Sequence, residues 1–181
     1  MLALAAELDG ARLRTRHAIE FVATTGEEGL GDLRGAKRYF ADPSIPAVAL
    51  GMDPGRLLSD GQTFGLLFES LCIHDLRVYT ACIPGAYPES LHYYGDSDGL
   101  EVDAIIELRD GRWAALEIKL GEEKVPDGIR NIERLRQKVA SNPAARNPEP
   151  AFSAVVTATS PFCRHDAEHD VYVFPITALR P

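Results

Sequence analysis

Three side chains in the middle of the chain have the types and spacing to do chemistry: Asp103, Glu117 and Lys119. In the segment Trp113–Lys119, alternation places Trp113, Ala115, Glu117 and Lys119 on one face of a strand. Ala114, Leu116, Ile118 and Leu120 fall on the other, wholly apolar face. A carboxylate and an amine two residues apart on a strand with such neighbours project together from a largely buried element. Whether Asp103 joins them depends on the turn Leu108-Arg109-Asp110-Gly111-Arg112. A two-residue Asp110-Gly111 turn pairs Arg109 with Arg112 and puts Asp103 opposite Ile118, on the wrong face. A three-residue loop with Gly111 left-handed pairs Leu108 with Arg112 and puts Asp103 opposite Glu117. Opposed Cβ atoms lie about 4.5–5.5 Å apart. Two carboxylates that close repel unless a proton or cation sits between them. Oxygen donors of this kind suit Mg²⁺ or Mn²⁺, and the Lys119 amine beside them would orient or deprotonate a water and neutralise a phosphate oxygen. Spacing alone leaves open a plainer arrangement, an edge strand of alternating charge with Lys119 paired across to Glu101.

The elements that must hold these residues follow from periodicity. Phe64, Leu67, Phe68, Leu71 and Cys72 form one helical stripe, predicting a helix from Thr63 to about Ile83 that Pro84-Gly85 ends. Three strands follow, Leu91–Tyr94, Leu100–Leu108 and Arg112–Leu120. In the second, Leu100, Val102, Ala104, Ile106 and Leu108 are expected on one face, and Glu101, Asp103, Ile105 and Glu107 on the other. Pro126 suits the first turn of a second helix reaching about Ala140, with Ile129, Ile132, Leu135 and Val139 inward. Phe152–Ala158 and Val171–Pro175 complete the strands. Three consecutive strands between two helices predict an antiparallel meander, and the strand after the second helix joins by a crossover. Upstream, Met1–Leu8 and Ala11–Ala23 read as short helices, Thr24–Gly35 as a hinge and Lys37–Phe40 as strand-like. Asp42-Pro43-Ser44 reads as a turn or helix start, and Asp53-Pro54-Gly55 as a turn. The boundary falls near residue 35, giving a helical appendage over 1–35 and the main domain over 36–181.

Composition narrows the class. The 181 residues are 45% hydrophobic and 25% charged, enough for one domain with a core. With 27 acidic against 19 basic residues the net charge is −8, which disfavours a protein that coats nucleic acid with a basic face but not an enzyme that holds a metal with carboxylates. Arg130, Arg134 and Lys138, four residues apart on the second helix, are the best candidates for contact with a phosphate backbone; a solvated helix face is the plainer alternative. No apolar run approaches the roughly 18 residues of a membrane helix, and Met1–Asp9 lacks the basic region of a secretory signal. Three widely spaced cysteines, Cys72, Cys82 and Cys163, argue for a reducing cytoplasm, with Cys72 in the core. His165 and His169 sit four apart near Cys163, but the flanking Pro161 and the strand at Val171 place them in a solvated loop, without zinc.

Asp103 followed by Glu117-Ile118-Lys119, behind a helix, three strands, a helix and a strand, resembles the PD-(D/E)XK nuclease superfamily. The resemblance implies an α/β fold with a restriction-endonuclease-like core, a central mixed sheet flanked by helices. It implies Asp103 and Glu117 as metal ligands, Lys119 as a catalytic lysine, and Glu69 in the first helix as a further acid that completes or tunes the site. Val102 stands where the superfamily has a proline before the aspartate. A narrower resemblance, through Lys37–Pro43, Phe64–Glu69, Gly99–Asp103 and Leu116–Lys119, is to an uncharacterised domain at the C-terminus of bacterial and archaeal AAA-type ATPases. The chain has no G-x-x-x-x-G-K-[ST] stretch and hence no ATP site of that kind. Two functions are therefore expected: a Mg²⁺- or Mn²⁺-dependent phosphodiesterase acting on DNA or RNA, or a catalytically inactive module of the same fold that dimerises or serves an ATPase module.

Overall fold

The computed structural model describes residues 42–179. The expected appendage over 1–35 and the strand-like Lys37–Phe40 lie outside them. Two short helices come first, α1 (Ser44–Ala49) and α2 (Pro54–Ser59). The Asp53-Pro54-Gly55 signal is a helix start rather than a free turn: the Asp53 carboxylate accepts the Arg56 N–H at 2.9 Å and Pro54 occupies the first turn. Asp60 caps the long helix α3 (Gly61–Ala81) in the same way, through Thr63 N–H at 3.0 Å. Strands β1 (Leu91–Gly95), β2 (Glu101–Glu107) and β3 (Trp113–Lys119) follow. A short 3₁₀ turn leads into helix α4 (Val125–Ser141), then β4 (Phe152–Thr157), β5 (Arg164–Asp166) and β6 (Val171–Pro175). The chain is thus a mixed α/β structure. Among the described residues no helix is long and apolar enough to cross a membrane.

The six strands form one sheet in the order β1-β2-β3-β4-β6-β5. β1, β2 and β3 are an antiparallel meander, β4 runs parallel to β3 after the α4 crossover, and β6 runs parallel to β4. Helix α3 covers one face, where Phe68, Cys72, Ile73 and Leu76 pack with Ala114, Leu116, Ile118, Ala154 and Val156. Helix α4 covers the other, where Ile129, Ile132 and Leu135 pack with Trp113, Ala115, Val155 and Val173. β3 is therefore an interior strand with both faces covered, and the edge-strand alternative for Glu117 and Lys119 does not hold. Cys72 is fully buried, as expected of a core thiol, and Cys72, Cys82 and Cys163 are all free.

Two further elements differ from expectation. The segment around His165 is not only loop: Arg164–Asp166 forms an edge strand on β6, too short to leave a periodic signature. Its two histidines are each taken by a carboxylate, His165 Nε2 by Asp170 at 2.8 Å and His169 Nδ1 by Glu133 at 2.7 Å. The second difference concerns β2. Ala104 and Ile106 face α3, as expected, but Leu100 and Val102 belong to the α4 face. The cause is a bulge. Against β1, two steps from His92 to Tyr94 span three from Ile105 to Val102. One extra residue shifts the alternation by one and reverses every side chain beyond it, so Val102, Asp103 and Ala104 are buried in succession.

Candidate metal and phosphodiester site

The β2–β3 hairpin has the three-residue loop. Leu108 N–H donates to Arg112 O at 2.9 Å, Gly111 N–H to Leu108 O at 2.8 Å, and Gly111 is left-handed at φ 82°. The resulting pairs run from Glu107–Trp113 to Ala104–Leu116, so the next position along brings Asp103 to Glu117. There the ladder gives way to a side chain: Ile118 N–H donates to Asp103 Oδ2 at 2.8 Å. The bulge and the loop act together, the loop setting the register and the bulge holding Asp103 where its carboxylate turns onto β3.

Asp103, Glu117 and Lys119 form one cluster. The Lys119 ammonium lies between the two acids, donating to Glu117 Oε2 and reaching Asp103 Oδ2 at 3.4 Å. The expected partner for Lys119 in the plainer alternative, Glu101, is not the one it takes. The Glu117 side chain is only 1% exposed, whereas 20% of the Lys119 side chain reaches solvent. Burial, and next the charge of Asp103, push the Glu117 carboxyl up to about 8 against the opposing pull of Lys119. Burial by itself would lower Lys119, but the charges of Asp103 and Glu117 outweigh it and hold its pKa above the ordinary value. The cluster is an ammonium shared by two acids.

Two residues that periodicity does not flag complete the setting. Asn131 on α4 donates from Nδ2 to Glu117 Oε1 at 3.2 Å. One helical turn earlier, Gly128 lets α4 close on β3: a Cβ there would stand 3.2 Å from Glu117 Cβ and 3.2 Å from a Val155 methyl. The sequence does carry a trace of this, because a glycine inside a helical pattern signals close approach. Gly128→Ala should therefore destabilise the protein by about 1 kcal/mol. The overpacking cost of roughly 1–3 kcal/mol exceeds the helix-propensity gain of about 1 kcal/mol. A melt showing Gly128→Ala more stable than the parent would mean that α4 is free to move off Glu117.

The other expected site residues are placed differently. Glu69 lies half-buried on α3, and both it and Asp103 act electrostatically on the Cys72 thiol, which burial already raises. Among the described residues, however, no group of three or more histidine, cysteine or acidic side chains is arranged to hold a metal ion, so Glu69 does not close a three-donor set with Asp103 and Glu117. On α4, Arg130 is paired with Asp127 one turn away. Lys138 reaches across to the β1–β2 turn, 2.7 Å from Asp96 and 2.6 Å from Asp98, and these bonds raise its pKa. Arg134 is exposed and has no ion-pair partner among the described residues. The basic stripe is thus two paired cations and one open arginine.

A family model for a domain of unknown function, DUF4143, matches residues 64–178, which span α3, the whole sheet and α4. The chain belongs to the DUF4143 family. In some families DUF4143 is found as the C-terminal region of AAA-type ATPases, in line with the narrower resemblance in the sequence. No curated protein matches the chain. The carboxylate–lysine cluster lies inside the DUF4143 match, on the antiparallel pair β2 and β3.

Proposed function

We propose that this DUF4143 domain is a metal-dependent phosphodiesterase of the PD-(D/E)XK kind, acting on nucleic acid, with a restriction-endonuclease-like core. The observation that carries the reading is the convergence of Asp103, Glu117 and Lys119 from two strands into one largely buried cluster. The order helix, three antiparallel strands, crossover helix, parallel strand supports it. So does the closeness of the two acids, since burial and then the charge of Asp103 make Glu117 easier to protonate than an ordinary carboxyl. The donor set is all oxygen, as Mg²⁺ or Mn²⁺ requires. Asp103 and Glu117 would hold the ion, with Glu69 tuning the site from α3. When bound, the ion polarises a phosphoryl oxygen and acidifies a water. Lys119, held protonated, orients the attacking water and offsets charge on the phosphate oxygens. Arg134 is the open cation for the strand.

A second reading is favoured by one feature of the same cluster. Both Glu117 oxygens are already engaged, Oε2 by Lys119 and Oε1 by Asn131. An acid so satisfied suits a module that retains the fold without hydrolysis and serves an ATPase module or a second copy.

One experiment separates the two. Under the first reading, Mn²⁺ at tenfold excess over its Kd raises stability by about 1.4 kcal/mol. Asp103→Asn or Glu117→Gln removes the gain, and Lys119→Ala keeps it while losing cleavage of single- or double-stranded DNA and RNA. No Mn²⁺-dependent shift and no cleavage in the parent protein would leave the non-catalytic module as the account.

A further inference from the structure

A concavity lies on the α4 side of the sheet, at the other end of β2 and β3 from Asp103. Its volume is about 930 Å³, within the size range of small-molecule sites. It lies roughly 13 Å from the carboxylate cluster, four residues along β2 at about 3.3 Å each.

Hydrogen bonds between separate segments fix its walls. The loop after α3 is tied to the hairpin by Arg109 N–H to Gly85 O at 3.0 Å and Glu107 N–H to Ser90 O at 2.8 Å. The loop after α4 is tied to β3 by Trp113 Nε1–H to Asn147 O at 2.9 Å and Ala151 N–H to Trp113 O at 2.7 Å. Ile105, Leu135 and Val139 contribute apolar surface. Three aromatic rings, Tyr87, Tyr94 and Trp113, line it, with the Arg109 guanidinium 5.9 Å from the Tyr87 ring centre. The polar tips of Trp113 and Tyr94 are already bonded, to Asn147 and to Asp96, so these rings have only their apolar surface left to offer.

Charged residues rim this lining. Glu89, Glu107 and Arg146 line the concavity and have no ion-pair partner among the described residues. Beyond burial, Glu107 and Glu89 push the Tyr87 hydroxyl up and Arg109 pulls it down, so three of these charges act on one ring. A ligand matching this set has a flat ring for the aromatics, N–H donors on its edge for a carboxylate, and an anionic group for the guanidiniums. A planar base with adjacent N–H groups and a phosphate meets all three demands. Guanine meets the second best, because its N1–H and N2–H₂ offer two neighbouring donors to one carboxylate.

We propose that this concavity is a guanine-nucleotide site, with the base against the aromatic rings, its N–H edge on Glu107 or Glu89, and its phosphate on Arg109 and Arg146. The nucleotide is either free or the end residue of a strand. The proposal does not depend on hydrolysis at Asp103 and Glu117, and its test needs no metal.

Trp113 is the chain's single tryptophan, so its fluorescence reports on this wall alone. In chelator, guanosine 5′-monophosphate should quench it saturably. Guanosine without phosphate, and uridine 5′-monophosphate, should bind at least tenfold more weakly. Glu107→Gln and Arg109→Ala, both exposed on the hairpin, should each weaken binding about tenfold without changing the melt. A short oligonucleotide ending in a 5′-phosphorylated guanosine distinguishes the sources: quenching by the monophosphate supports a free nucleotide, and quenching by the oligonucleotide alone supports a strand end. No saturable quenching by either at millimolar concentration overturns the proposal, as does quenching that Glu107→Gln and Arg109→Ala leave unchanged.

Discussion

Leu116→Asp should abolish cooperative folding, while Glu117→Ala, one residue along the same strand, should change stability by no more than about 1 kcal/mol. Leu116 is 2% exposed on the α3 face, among Cys72, Ile73, Ala104 and Val156. Among the described residues no cation lies in that cluster, so an aspartate there is a buried charge without a counterion from them. Its cost is several kcal/mol before the lost packing is added. That is a large share of the roughly 5–15 kcal/mol that holds a domain together. Glu117 is equally buried, but on the other face, where its charge is costly and its partner Lys119 retains Asp103 when Glu117 is removed. Urea titrations in chelator check the ranking. Glu117→Ala as the more damaging of the two would contradict the assignment of faces.

The second large effect belongs to Lys119. Lys119→Met, measured in chelator at pH 8, should destabilise the protein by on the order of 3–5 kcal/mol, because it leaves two neighbouring carboxylates without their shared counterion. The loss should shrink towards pH 6. Glu117 binds its proton more tightly folded than unfolded, with a folded pKa of about 8 against an ordinary 4.5. A raised acid destabilises the fold progressively as pH climbs from the unfolded to the folded value. Removing the ammonium raises Glu117 further and steepens that slope. Lys119 itself does not titrate in this window, since its own pKa lies above the ordinary 10.5. Adding Glu117→Gln to Lys119→Met should restore most of the loss and flatten the pH dependence. A Lys119→Met protein as stable at pH 8 as at pH 6 would mean that the acids are not coupled through this ammonium.

The register of the β2–β3 hairpin was legible because one residue decides it. Gly111 permits the left-handed third position, and everything from Leu108–Arg112 to the meeting of Asp103 with Glu117 follows. The α4 stripe and the apolar face of β3 were legible for a similar reason, since each pattern is strictly local. What escaped is what depends on pairing across long separations. The β2 bulge exists only against β1, and no turn residue marks it, so Val102 reads as sharing a face with Ala104 when it does not. The three-residue β5 is held by contacts distant in sequence, among them the two-bond pairing of Arg164 with Glu122. Lys138 looks like an open cation in its helix because its acids, Asp96 and Asp98, lie about forty residues earlier. Asn131 carries no periodic signal; only the Gly128 beside it does.

The bond from Ile118 N–H to Asp103 bears on how any variant of that residue is to be interpreted. Asp103 stands where the backbone ladder between β2 and β3 stops, and its carboxylate does there what a carbonyl does elsewhere in the sheet. A change that deletes the oxygen therefore cuts architecture and chemistry at once, and a loss of activity in such a variant is ambiguous between a missing ligand and an unzipped strand end. Replacing the acid by its amide separates the two, because an amide oxygen still accepts the Ile118 proton while giving up the negative charge. In this fold the informative comparison at position 103 is with asparagine, not alanine.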